Sequence, residues 1–108
     1  MMFVMDKKYE DALLFDFYGE LLTEKQKAVF EEVVLCDLSL SEVADEHGIS
    51  RQGVHDMVKR CGRILSGYET RLGLVRKFLM IKQKTEEIRR LTDNPEIRRI
   101  ADDILEEL

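Results

Sequence analysis

Apolar positions recur at helical steps along most of this chain, and no segment alternates with the period of a strand. Between Asp6 and Leu22, the residues Tyr9, Ala12, Leu13, Phe15, Phe17 and Leu21 fall mostly three or four apart, which predicts a first helix. Leu14 and Tyr18 widen its stripe, so this helix should pack on more than one side. Thr23 with Gln26 has the spacing of a capping box, in which the hydroxyl accepts a free N–H and the amide reaches back. It opens a second helix running to Val34 or Leu35, with Ala28, Val29, Phe30, Val33 and Val34 inward. Ser39 with Glu42 repeats the device and opens a short helix to His47. Gly48 ends that helix, because glycine takes positive φ without steric cost. Ser50 caps a fourth helix that starts at Arg51.

The fourth helix meets no strong stop for some forty residues. Val54, Val58, Cys61, Leu65, Tyr68, Leu72, Val75 and Leu79 form a seam with a mean step of about 3.5 residues, which fits one long helix or two stacked ones. Gly62, Gly67 and Gly73 weaken it, and a break is expected near Gly67. Asn94-Pro95 is a restart, since the residue before proline leaves the helical region and proline suits the first helical position. Ile97, Ile100, Ala101, Ile104, Leu105 and Leu108 then follow one helical face. The expected fold class is all-α, with five or six helices. Its expected parts are a helix-turn-helix domain over residues 1–66, a basic helical extension over 67–92 and an acidic amphipathic C-terminal helix over 93–108.

The segment from Leu40 to Arg60 sets several demands at once, and all are met within 21 residues. Ala44 is small where a second helix must cross closely. Gly48 follows four residues later and can turn the chain sharply. Ile49 can plug the angle between the helices, and Ser50 can cap the second one. Val54 and Val58 face back onto the first. This is the spacing of a helix-turn-helix.

Charge sharpens that reading. The net charge is -5, yet residues 51–92 carry 11 Lys/Arg against 4 Asp/Glu, a net of +7. Residues 1–50 stand at -8 and residues 93–108 at -4. A compact basic block inside an acidic chain fits contact with a polyanion, and it fits equally a solvated helix face. In helix-turn-helix geometry the outward residues are Arg51, Gln52, His55, Asp56, Lys59, Arg60 and Arg63. Arg51 and Gln52 sit in the first turn, where Arg can fork onto guanine and Gln onto adenine. Ser50 can add a phosphate contact beside the helix N-terminus. Lys59, Arg60 and Arg63 suit phosphates, which position without specifying. Asp56 speaks against this face, because a carboxylate is repelled by phosphate. The later cations Arg71, Arg76, Lys77, Lys82, Lys84, Arg89 and Arg90 can track a backbone or pair with the acidic N-terminal half of the same or a second subunit.

Other chemistry finds no support. The 108 residues suffice for one domain with an appended arm, and no run of 18 apolar residues is present. Met1 to Lys8 lacks the order of a basic and then an apolar region expected of a signal peptide. The two cysteines, Cys36 and Cys61, form no disulfide framework and fit a reducing cytoplasm as small core hydrophobes. With His47 and His55 they lack zinc spacing. No phosphate-cradling glycine motif occurs, so no enzyme activity, metal or cofactor is expected.

The pieces LLFDFYGELL, LLTEKQKAVF and LSLSEVADEHGISRQGVHDMVKR resemble the YlxM-type proteins, a small bacterial cytosolic family. The resemblance covers roughly residues 9–80 and does not extend over 81–108. It implies a helix-turn-helix similar to region 4 of sigma factors. It also implies a role in the signal recognition particle pathway, inferred for the family from gene neighbourhood. Gly53 stands where that family is expected to carry Ala, and His55 where an aromatic is expected. The expected partner is duplex DNA or signal recognition particle RNA, with a protein component of that particle as the target of an alternative adaptor reading. A homodimer is expected, against a monomer whose tail folds back.

Overall fold

A computed structural model describes residues 6–108, so Met1–Met5, part of the segment read for a signal peptide, lie outside the described residues. Six α-helices follow in order: α1 Lys7–Tyr18, α2 Glu24–Phe30, α3 Leu40–His47, α4 Arg51–Leu72, α5 Leu74–Leu91 and α6 Pro95–Glu107. Among the described residues there is no strand. The chain divides into two compact units, the first ending at Leu72 and the second spanning Gly73–Leu108.

In the first unit the helix ends form where local chemistry directs them. Asp6 caps α1 by accepting from the Tyr9 N–H. A 3₁₀ turn, Gly19–Leu21, leads to the Thr23–Gln26 capping box, which closes in both directions at 3.2 and 3.0 Å. The Ser39–Glu42 box does the same at 3.1 and 3.2 Å. A feature that periodicity does not reveal is the π-helical stretch Glu31–Leu35 that continues α2. Each π turn takes in an extra residue, which rotates the side chains that follow relative to an α-helical register. The stretch runs out at Asp37, a non-glycine residue with φ 57°.

The core is built from the small and branched residues that the pattern singles out. Val29, Val43, Ala44 and Val54 are buried together, with Val33, Leu38, Ile49, Met57 and Val58 packed around them. Phe15 of α1 stacks on Phe30 of α2 with ring centroids 5.9 Å apart. Tyr18 is buried, stacks on Tyr68 at 5.9 Å and donates its hydroxyl proton to Glu69 Oε1 at 2.7 Å, which fastens α1 to α4. The α1 stripe is therefore narrower than expected, with Leu13 and Phe15 buried as the pattern requires. Leu14 and Tyr18 are inside, while Tyr9, Phe17 and Leu21 are exposed. Cys61 is fully buried, and burial pushes its thiol pKa up, as a core role requires. Cys36 does not share that role: it is exposed, at the residue that ends the π stretch.

The break expected near Gly67 falls instead at Gly73. Gly67 lies within unbroken α4, whereas Gly73 takes φ 63° and ends the register. The apolar seam consequently fails at Leu72, which is 56% exposed. In the second unit, α5 and α6 form a hairpin across the Thr92–Asn94 turn, and Asn94 caps α6 by accepting from the Glu96 and Ile97 N–H groups. Arg89 Nε donates to Asp102 Oδ1 at 2.6 Å between the two helices.

Candidate nucleic-acid interface

The helix-turn-helix is made by α3, the Gly48–Ser50 turn and α4. Gly48 takes φ 65°, ψ 35°, and its N–H closes on the Ala44 carbonyl. The Ile49 N–H reaches the same carbonyl at 3.1 Å. A side chain at position 48 would meet the left-handed penalty that glycine avoids. Ala44 is 4% exposed and Val54 fully buried, so the helices cross on those two residues. Ser50 Oγ accepts from the Gly53 N–H at 2.9 Å and caps α4. A β-carbon at position 53 would lie 3.1 Å from that hydroxyl. Glycine thus leaves room for the cap, and this is the structural consequence of finding Gly rather than Ala there.

All seven candidate residues, Ser50, Arg51, Gln52, His55, Lys59, Arg60 and Arg63, are exposed. From Arg51 onward they cover roughly half the circumference of α4 at about 100° per residue. Val54, Cys61 and Leu65 anchor the opposite side, where each is fully buried. The fold therefore brings the candidates onto one continuous face with four permanent cations, Arg51, Lys59, Arg60 and Arg63. Asp56 lies inside that face. It accepts from Gln52 Nε2 at 2.9 Å and stands 3.6 Å from His55 Nδ1. One amide hydrogen of Gln52 is engaged in this way, and its carbonyl oxygen and second hydrogen stay available. Lys59 and Arg63 also line a groove floored by Phe30, Val34 and Val58, with Lys7 on the same groove. Lys7 in turn donates to Asp11 Oδ1 at 2.8 Å, and that bond raises its pKa. The later cations behave differently: Arg89 is tied to Asp102, an acid of α6 and not of the N-terminal half.

Behind this face lies a cluster that spacing does not reveal. Glu32, Glu46 and His47 place one donor atom each within 4.8 Å of one another. His47 Nε2 is 3.1 Å from Glu32 Oε2. Hydrogen bonding to His47 holds the Glu32 carboxyl below the usual carboxylate range, and Glu46 beside Glu32 is raised. Glu32 Oε1 is buried with no partner. The only sequence signal was the Glu46-His47 pair at the end of α3. Glu32 joins it from the π stretch, fifteen residues away in sequence.

No described helix is long and apolar enough to cross a membrane. The family described as "Putative helix-turn-helix protein, YlxM / p13 like" matches residues 5–104, which extends the likeness well past residue 80 into the hairpin. A UPF0122 protein of Acetivibrio thermocellus is 50% identical over 84 residues, covering 78% of this chain and 72% of that one. A UPF0122 protein of Thermoanaerobacter sp. (strain X514) is 44% identical over 103 residues, covering 89% and 88%. Another, from Bacillus licheniformis, is 46% identical over 90 residues, covering 82% and 84%. With its helix-turn-helix formed by α3 and α4 and its match running through both units, the chain belongs to the YlxM / p13-like helix-turn-helix family, UPF0122.

Proposed function

We propose that this protein binds nucleic acid through the outward face of α4 and acts as a regulatory or accessory factor. The observation that carries this reading is the division of α4 into a fully buried side and an exposed side with four permanent cations. In this arrangement the first turn enters the major groove of duplex DNA. Arg51 and Gln52 read base edges there, while Ser50, His55, Lys59, Arg60 and Arg63 hold the backbone. The pathway served is that of the signal recognition particle, as the family resemblance implies, and the working species is a homodimer that offers one recognition helix to each half-site.

Structured RNA, that of the signal recognition particle in particular, is the second reading, and the hydrogen bond from Gln52 to Asp56 favours it. Gln52 is partly engaged and less available to read a base, and an A-form helix is recognised mainly through its backbone and shape, although Asp56 opposes phosphate contact in either nucleic acid. Fluorescence anisotropy with duplex DNA and with signal recognition particle RNA, side by side at two salt concentrations, tests both. Salt-sensitive binding to the duplex supports the first reading, and binding to the RNA alone supports the second. Absence of binding to either at low salt removes the nucleic-acid function and leaves a protein component of the particle as the partner.

A further inference from the structure

Helix α6 gathers its apolar residues on one side and its polar residues on the other, yet among its residues only Ala101 is buried. Ile97, Ile100, Ile104 and Leu108 are 38–48% exposed and follow one another by three or four residues, a continuous stripe down one side. Helix α5 repeats the situation, with Leu74, Ile81 and Ile88 spaced by seven and all exposed. Seven-residue spacing of large aliphatic residues is the pattern of a seam that packs against another helix. A contiguous run of exposed apolar residues is the kind of surface that marks an interaction site.

Charge identifies the occupant. Helix α5 carries six basic and two acidic side chains, and α6 carries two basic and five acidic ones, so the helices stand at +4 and -3. Within one chain they already make one such pair, Arg89 to Asp102. Beside these stripes, Lys77 and Lys84 on α5, and Glu96 and Glu107 on α6, make no ion pair among the described residues. A surface with a basic half and an acidic half complements itself under a two-fold rotation, because each half meets the other. An anionic membrane would repel the α6 half.

We propose that the exposed face of the α5–α6 hairpin is the homodimer interface, closed by a second copy whose α5 lies against this copy's α6 to form a four-helix bundle. The proposal rests on the homodimer reading and adds the surface that makes it. Its test needs no nucleic acid.

Sedimentation equilibrium of the full chain should show a dimer. The double variant Ile100→Glu/Ile104→Glu should raise the dimer dissociation constant at least about a hundredfold, since truncated or charged anchors dominate such losses. Its helical circular dichroism should be unchanged, because both residues are exposed within one chain. A second pair of variants tests the pairing itself. Lys77→Glu/Lys84→Glu alone and Glu96→Lys/Glu107→Lys alone should each associate weakly, and an equimolar mixture should regain the dimer, since only the mixed pair restores opposite charges at both contacts. A wild-type chain that stays monomeric at high micromolar concentration overturns both the surface and the homodimer, and leaves the face to a different protein. A dimer untouched by the isoleucine substitutions overturns the surface alone. A mixture that fails to associate overturns the α5-to-α6 pairing.

Discussion

Arg51 and Gln52 differ from the other cations and amides of this protein by position. They occupy the first turn of a helix whose cap, Ser50, is held by the Gly53 N–H, so their side chains leave from a rigid start. Arg51→Ala and Gln52→Ala should each lower discrimination between a preferred and a scrambled duplex by about 1–3 kcal/mol, with a smaller change in overall affinity. Competition binding with the two duplexes measures this, and unchanged preference in both variants would remove base reading from these residues. Glu32 makes the second prediction at this scale. Its pKa is lowered in the folded protein, so its contribution to stability is complete above the ordinary glutamate range and is lost as pH falls through its folded value. Glu46 is raised and acts in the opposite sense, stabilising at low pH and losing that effect as pH rises through its folded value. The melting temperatures of wild type and Glu32→Gln should therefore differ at neutral pH, and the difference should begin to shrink near about pH 4.3, the usual glutamate pKa, and close only below the lower folded value. A difference independent of pH would show that Glu32 acts through packing instead.

At the scale of elements, two glycines of similar appearance in the sequence have opposite roles. Gly67 lies inside α4, toward its C-terminal end, with open space where a β-carbon would go, while Gly73 takes φ 63°. Gly67→Ala should stabilise the protein by about 0.5–1 kcal/mol through helix propensity and a less flexible unfolded chain. Gly73→Ala should destabilise it by about 1–2 kcal/mol, the left-handed penalty for a residue with a β-carbon. Urea titration reads both, and shifts of the same sign would contradict the helix boundary. The α3–α4 crossing is as sensitive to volume as Gly73 is to backbone angle. Ala44 is 4% exposed between Val43 and Val54. Ala44→Leu should cost about 1–3 kcal/mol by overpacking, or more if the helices must part. An unchanged melting temperature would place Ala44 outside the crossing. Both capping boxes, the Gly48 turn and the Asn94-Pro95 restart were legible beforehand, because each depends on residues within four positions of one another. The π stretch was not, because its residues, Glu31 to Leu35, have no composition that distinguishes them from a last turn of α-helix.

For the molecule as a whole, charge is distributed against its sum. A chain of net charge -5 keeps 11 of its 17 Lys and Arg residues on α4 and α5. Association with a duplex should therefore be strongly salt-dependent despite the acidic total. Contacts by Lys59, Arg60 and Arg63 predict a slope of about -3 in the logarithm of the binding constant against the logarithm of salt, and Lys59→Ala or Arg63→Ala should each reduce it by about 0.9. A slope near zero would argue for a largely apolar interface. At this scale the sequence was least informative. The seam from Val54 to Leu79 looked continuous, but one φ at Gly73 divides it into two units and leaves Leu72 exposed.

The sequence by itself determined the helices, their caps, the helix-turn-helix and the residues that occupy its outward face. These follow from helical periodicity and from hydrogen bonds between near neighbours, and both are local. Only the tertiary structure decided which side of α1 is buried, where Glu32 meets His47, that Cys36 is exposed while Cys61 is not, and that α5 leaves the apolar stripe of α6 uncovered in their hairpin. Each of these depends on the rotation of one helix against another. That rotation is set by the packing of side chains far apart in sequence, and a shift of one residue, as in the π stretch after Phe30, changes it without leaving a mark on the hydrophobic pattern.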